Sequence, residues 1–211
     1  ALSLTEVYHG LSLQLVVYLN AAMEIVQKEY PEKKIRPAGI FYYRIQDPLL
    51  SLSWNQGEED VEKSMRKELR MDGLASESPD VLEKMDHRVQ GKEGSIVFPL
   101  SYNKDGSCSK SSSVTREENF RLMSEYAREK MKEIGSRILQ GEVKVNPYLL
   151  GRKKGCDYCP YRAVCGFDEG IWGYEYRKLK SFSDEELWEQ MRRRCGGHEM
   201  DEGTGTGDPT A

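Results

Sequence analysis

Apolar residues recur at helical spacing from the first residues of the chain onward. Leu4, Val7, Leu11, Leu15, Tyr18, Ala22 and Ile25 trace one stripe, the three- and four-residue rhythm of a helix face. Ser3 and Glu6 stand at the spacing of a capping box, and Pro31 cannot continue a helix. The spacing therefore predicts a single helix from the amino end to about Glu29. Leu13, Val16 and Val17 lie off the stripe, so the middle of this helix is apolar nearly all round and is expected to be buried on two sides.

The pattern then changes period. Residues 37 to 45, from Pro37 through Phe41, Tyr42 and Tyr43 to Ile45, are aromatic and β-branched and are closed by Pro48, which predicts a core strand. A charged helix is expected from about Glu58 to Arg70 with Val61, Met65 and Leu69 on one face, stopped at Asp72-Gly73. A short helix is expected at Pro79 to Met85, a strand at Ser95 to Tyr102 and a polar loop at Ser107 to Ser113. Thr115 and Glu118 form another capping-box pattern before a long helix carrying Phe120, Met123, Ala127, Met131, Ile134 and Ile138. Gly141 stands where a C′ glycine belongs. A short strand is expected at Val143 to Tyr148. Ser183 and Glu186 cap a last short helix with Leu187, Trp188 and Met191 inward. From Gly196 on the sequence is poor in apolar residues and cannot offset its ordering entropy by burial, so residues 195–211 are expected to form a disordered tail.

Composition narrows the picture. Of the 211 residues 31% are charged and 38% hydrophobic, enough apolar material for one core, and the formal net charge is -4. No global basic field announces nucleic acid, so DNA contact requires a local patch or a partner. The longest apolar stretch, Leu11 to Leu19, is interrupted by Ser12 and Gln14, short of the roughly 18 residues that span a membrane. The start lacks the basic lead of a signal peptide. It also lacks an initiator Met and opens in helix-like sequence, which reads as a piece of a longer protein. No Walker-type glycine-rich loop is present, so ATP is not expected to bind here. Arg192, Arg193 and Arg194 read as a solvated helix end, and Phe41, Tyr42 and Tyr43 as core residues.

The chemistry is concentrated in the cysteines. Five are present, Cys108, Cys156, Cys159, Cys165 and Cys195. An odd number with three tightly clustered does not resemble a secreted disulfide framework; it points to a reducing cytoplasm and a metal. Thiolates are soft ligands that suit iron–sulfur clusters or zinc. The Cys156-x-x-Cys159 turn can aim two sulfurs at one centre, and a helical turn from Pro160 can return the third at Cys165. Structural sites of either kind use four protein ligands. Cys108, in a serine-rich loop, and Cys195, beside the tail, are poorly placed to be the fourth. The spacing alone does not choose between zinc and iron–sulfur.

The run Gly155-Cys156-Asp157-Tyr158-Cys159-Pro160-Tyr161-Arg162-Ala163-Val164-Cys165-Gly166-Phe167-Asp168 resembles the cluster segment near the end of AddB-type helicase–nuclease subunits. Pro147-Tyr148 before it and Tyr174-Glu175-Tyr176-Arg177 after it fit the same resemblance. At the other end, Gln14-Leu15-Val16-Val17-Tyr18 resembles the Gln-x-x-x-Tyr helix of RecB-family nucleases. A lone match of this kind is usually a helix with one polar residue at the edge of its stripe. Paired with the cysteine run in the same order, it is specific.

That resemblance implies an α/β fold, the carboxy-terminal part of a restriction-endonuclease-like nuclease domain, over residues 1–194 with the cluster segment at 155–168. It implies that Gln14 and Tyr18 border the active site. The metal-binding acids and the Asp-x-Lys lysine of the family would lie just before the chain begins; His9 does not replace them, and the fragment alone should not cut DNA. It further implies a 4Fe-4S cluster held by Cys156, Cys159, Cys165 and a fourth cysteine outside this chain, Mg²⁺ in the complete nuclease, an AddA-type partner, DNA as substrate and a cytoplasmic location. The implied parent is an ATP-dependent exodeoxyribonuclease subunit acting on double-strand breaks. A Cas4-like exonuclease and a zinc-stabilised binding module without nuclease chemistry are the alternative readings.

Overall fold

The first break in the expected pattern comes at Gly10. Instead of one helix there are two, α1 (Leu4–Tyr8) and α2 (Gln14–Glu29). Gly10 adopts φ 76°. The Leu11 amide donates to the Glu6 carbonyl at 2.8 Å, and the Gly10 amide to the Val7 carbonyl at 3.0 Å. These are the two bonds of a Schellman stop, which needs a residue in the left-handed region at C′. A stripe drawn continuously from Leu4 to Ile25 therefore crosses a phase break. Leu4 and Val7 are buried in α1, but Tyr18 and Ile25 are exposed, and the buried residue of α2 is Val16, which lies off that stripe. The two-sided burial expected for this segment is not observed.

The structure is a computed structural model in which residues 2–51, 57–91 and 93–196 are described. Apart from Cys195 and Gly196, the expected tail lies outside the described residues. The chain divides into two compact units, one of residues 1–3 and 13–124, the other of residues 4–12 and 125–211.

The first unit holds a three-stranded sheet, β1 (Gly39–Tyr42), β2 (Asp72–Ser76) and β3 (Val114–Thr115), in that spatial order. β1 runs antiparallel to β2 and β3 parallel to it. β2 is the middle strand, yet its sequence, Asp-Gly-Leu-Ala-Ser, carries no β-branched or aromatic residue, and the pattern read it as a helix stop. Tertiary closeness explains its composition. A Cβ on Gly73 would fall 2.0 Å from the Ile40 carbonyl oxygen, so only glycine fits opposite Phe41. β1 is shorter than expected: Ile40 is buried and Phe41 packs on Phe98 at 5.9 Å, but Tyr42 and Tyr43 are exposed and are not core residues.

Behind this sheet Ala75, Leu82, Val89, Phe98 and Leu100 form the core, with Phe41, Met85, Tyr102 and Val114 around them. The charged helix α3 (Glu58–Glu68) has no buried residue. Leu82 comes from α4 (Pro79–Met85), as the pattern predicted, and Val89 from a following 3-10 turn (His87–Gly91). The strand expected at 95–102 is instead a turn joined by two isolated bridges, Ser95 to Leu100 and Tyr102 to Cys108. Ser95 Oγ accepts from the Val97 and Phe98 amides at 3.0 and 3.3 Å and donates to Asp86 Oδ2 at 2.7 Å. A hydroxyl that satisfies backbone donors locally competes with a strand ladder.

The long helix α5 (Glu117–Leu139) follows β3. Thr115 lies in β3, and its hydroxyl accepts from the Asn119 side chain at 2.8 Å rather than forming the expected box with Glu118. Phe120, Met123 and Ala127 are buried, whereas Met131, Ile134 and Ile138 are exposed. The helix stops at Gly141 as expected. Gly141 has φ 72°, with Gly141 N to Ile138 O at 3.0 Å and Glu142 N to Arg137 O at 3.1 Å, a second Schellman stop.

The second unit contains a smaller sheet of β4 (Tyr148–Leu150), β5 (Lys153–Lys154) and β6 (Arg177–Leu179), ordered β5-β4-β6. The strand predicted from Val143 thus begins only at Tyr148, and Val143 itself is exposed. α6 (Arg162–Cys165) is a single turn, and α7 (Asp184–Cys195) closes the described chain. α7 has the predicted capping box: Ser183 Oγ accepts from Glu186 N at 3.3 Å, and Glu186 Oε2 accepts from Ser183 N at 2.8 Å. Leu187, Trp188 and Met191 are buried as predicted, and α7 packs against α1. His9 is a tie: its Nε2 donates to the Lys180 carbonyl at 2.8 Å. Arg193 pairs with Glu189, but Arg194 is more than a solvated end, bonding Glu133 and lying 5.6 Å over the Tyr126 ring. Among the described residues no helix is long and apolar enough to cross a membrane.

Candidate functional site

Gln14 is the first residue of α2 and Tyr18 stands one turn later. Their side chains meet: Gln14 Nε2 donates to the Tyr18 hydroxyl oxygen at 2.7 Å. Both are exposed, Tyr18 to 59%. One amide proton of Gln14 is therefore committed to aiming Tyr18. The Tyr18 hydroxyl proton and the Gln14 carbonyl can still face a polar ligand. Neither group carries charge, so this pair can orient a phosphate or a water but cannot itself hold a divalent cation.

The cysteine run lies in the other unit, in the connection from β5 to β6. That connection is closed at both ends on β4: Tyr148 to Leu150 pair in parallel with Arg177 to Leu179, and Leu149 and Leu150 pair with Lys154 and Lys153. Gly151, at φ 58°, makes the tight turn between β4 and β5. The Gly155 amide donates to the Tyr148 carbonyl at 3.0 Å, and the Arg177 amide to the Pro147 carbonyl at 2.9 Å. Both flanks that the sequence singled out, Pro147-Tyr148 and Tyr174 to Arg177, are thus the base of the loop.

Inside the loop Asp157 Oδ2 accepts from the Lys154 amide at 2.8 Å. The Cys159 amide reaches the Cys156 carbonyl at 3.4 Å, and the Cys165 amide reaches Tyr161 O at 2.8 Å. Gly166, at φ 66°, ends α6. Phe167 packs edge-on against Tyr174 and Tyr176 at 5.5 and 4.8 Å, and Lys154 Nζ lies 4.9 Å over the Tyr176 ring. Desolvation, then a hydrogen bond to Cys156, push the Tyr176 hydroxyl above its ordinary value. Cys156 and Cys159 are half-buried and Cys165 is exposed, as are Tyr158, Tyr161, Val164 and Trp172.

Among the described residues no three His, Cys, Asp or Glu side chains gather as a metal-holding group. The loop thus brings its three thiols into one ten-residue segment with anchored ends but does not converge the sulfurs. In kind the donors suit an iron–sulfur cluster or zinc; in number they supply three of four. Cys108 packs against the core of the first unit, where burial pushes its thiol up, and Cys195, at the end of α7, is likewise raised by burial. Both lie outside the loop that carries the other three thiols. Sequence reasoning missed Lys154 and Phe167 as supports of the loop; the Lys153-Lys154 pair next to Gly155 was the available signal.

Against known proteins, the family description "PD-(D/E)XK nuclease superfamily" matches residues 1–166. The chain belongs to this nuclease superfamily. The match begins with α1 and closes just after Cys165. It accounts for the α/β architecture as that of a restriction-endonuclease-like domain. The chain is also 38% identical to an ATP-dependent helicase/deoxyribonuclease subunit of Lachnoclostridium phytofermentans over 97% of its length and 18% of that protein's. It is 36% identical to the protein of the same name from Clostridium acetobutylicum, over 90% of this chain and 16% of that one. A third, from a Thermoanaerobacter species, is 34% identical over 91% and 16%. The chain thus spans less than a fifth of the length of these relatives.

Proposed function

We propose that residues 1–194 are the carboxy-terminal portion of the nuclease domain of an AddB-type subunit. In this reading the longer protein is an ATP-dependent exodeoxyribonuclease subunit. It hydrolyses DNA phosphodiester bonds at double-strand breaks in the cytoplasm, together with an AddA-type helicase–nuclease partner, in recombinational repair. One observation carries the reading. The hydrogen-bonded Gln14–Tyr18 pair and the sheet-anchored Cys156–Cys165 loop occur in one chain, in family order, within the 1–166 match.

Gln14 and Tyr18 border the active site as accessory groups that orient substrate or water. No Asp-x-Lys tripeptide occurs in the 211 residues, so this chain does not supply the acids and lysine of that motif. In the longer protein those acids would hold Mg²⁺, which would supply Lewis-acid chemistry at the scissile phosphate. Cys156, Cys159 and Cys165 would hold a 4Fe-4S cluster with a fourth cysteine from elsewhere in the longer protein, tying distant segments so that binding energy becomes folding energy. The sheet-closed base of the loop supports this, since it presents all three thiols from one fixed stem.

The test compares two samples. The longer protein with its partner should degrade duplex DNA in the presence of ATP and Mg²⁺, while the 211-residue chain alone should not. Cleavage by the chain alone that disappears on chelation, or absence of any nuclease activity in the longer protein, overturns the reading.

A further inference from the structure

The chain is acidic overall, with a formal net charge of -4, yet one groove of the first unit is lined by Lys63, Arg66, Lys67, Arg70, Arg88 and Ile96. Lys63, Arg66 and Lys67 stand on α3 at three- and four-residue spacing and Arg70 follows just past its end, so the four continue one face. Arg88 reaches the same groove from the 3-10 turn. The electrostatics of a helix end accounts for cations in the last turn of α3, which opens on Glu58, Glu59 and Asp60. It does not account for Arg88, which a separate element adds to them.

Among the described residues no carboxylate lines the groove. Glu62 pairs with Arg66 beside it, and Arg88 adds its charge to the field at Asp86. Lys63 and Lys67 make no ion pair among the described residues. Arg70 is fixed by its bond to the Ser95 carbonyl, and its buried Nε has no hydrogen-bond partner among the described residues. A guanidinium held by a backbone carbonyl, exposed lysines and the apolar side chain of Ile96 in one groove fit a chain of phosphates separated by sugars and bases.

We infer that this groove binds the phosphate backbone of single-stranded DNA. The inference rests on the nuclease reading for its choice of polyanion: the strand being degraded passes along α3 and the 3-10 turn. Binding of this kind is dominated by release of counterions, and each phosphate contact on a single strand contributes about 0.7 to the slope of log affinity against log salt.

The test is a fluorescence-anisotropy titration of the full 211-residue chain with a labelled oligothymidylate of about twenty nucleotides. It is compared across salt with a Lys63→Gln/Lys67→Gln double variant. Both lysines are exposed on a helix with no buried residue, so the fold should be retained, and circular dichroism checks it. Losing two contacts should weaken binding at least about tenfold at low salt and reduce the salt slope by about 1.4. A Lys104→Gln/Lys110→Gln variant removes the same charge from another exposed loop of the same unit and should keep the wild-type affinity. Equal loss in both variants, or no binding by the wild-type chain, overturns the groove. Cleavage by the longer protein is scored separately. Cleavage with a groove variant that binds normally sinks the groove alone; groove-dependent binding without cleavage sinks the nuclease reading alone.

Discussion

Gln14 Nε2 donates to the Tyr18 hydroxyl oxygen at 2.7 Å on an exposed face of α2. Two polar side chains that bond each other in water contribute little to stability. A pair kept for substrate should therefore separate the two effects. In the longer protein Gln14→Ala and Tyr18→Phe should each lower the single-turnover cleavage rate by roughly ten- to a hundredfold. Stability should stay within about 0.5 kcal/mol of wild type. Thermal melts alongside cleavage rates check this; lost stability with an unchanged rate per folded molecule would return both residues to a packing role.

The cysteines should act as a set. In the longer protein, changing Cys156, Cys159 or Cys165 to Ala should remove iron and sulfide and destabilise the nuclease domain, while Cys108→Ala should leave iron content unchanged. The 211-residue chain, with three thiols from one loop, should be purified largely without iron. Iron and sulfide analysis of anaerobically purified protein reads the outcome. Full iron without Cys159, or stoichiometric zinc in its place, would falsify the cluster assignment.

Tyr126 donates to the Tyr8 carbonyl at 2.6 Å and stacks on the Tyr8 ring at 5.5 Å. Burial pushes its hydroxyl up to about 12, with Arg194 pulling the other way. A raised value means the neutral form is favoured in the fold, so the contribution is whole below the unfolded tyrosine value of about 10. It is lost as pH rises toward 12, amounting to roughly 2–3 kcal/mol over that interval. Tyr126→Phe should cost about 1–2 kcal/mol at neutral pH and should flatten the stability profile between pH 10 and 12. Urea unfolding at several alkaline pH values measures both.

Asp86 accepts from Ser95 Oγ at 2.7 Å and from the Arg88 amide at 3.1 Å. Burial works against its ionisation, but these bonds hold its carboxyl below the usual value. A depressed value means stability that is present above the unfolded carboxylate value and is lost as pH falls through the folded one. Ser95→Ala also strips an acceptor from the Val97 and Phe98 amides, so it should cost about 1–3 kcal/mol at neutral pH. The gap from wild type should be constant above about pH 5 and narrow below about 4. A gap that widens in acid would show that Ser95 does not act through the Asp86 carboxylate.

Sequence alone determined those parts of this protein whose chemistry is local. The α7 box of Ser183 and Glu186, the Gly141 stop and the one-turn spacing of Gln14 and Tyr18 depend on residues within five positions of one another. So does the placing of three thiols in one short segment. Backbone geometry over such distances leaves few alternatives. Only the tertiary structure decided the rest. β2 is a strand because Gly73 and Ala75 fit between β1 and β3, not because Asp-Gly-Leu-Ala-Ser prefers extension. Gly10 ends α1 where the apolar rhythm ran on unbroken, since periodicity does not record a change of φ sign. The Ser95 turn replaced a strand because one hydroxyl satisfied three partners at once. Arg88 joined the α3 cations from a separate turn further along the chain. Each of these rests on what lies opposite in space, and burial, close approach and shared fields are properties of the assembled fold, invisible to spacing along the chain.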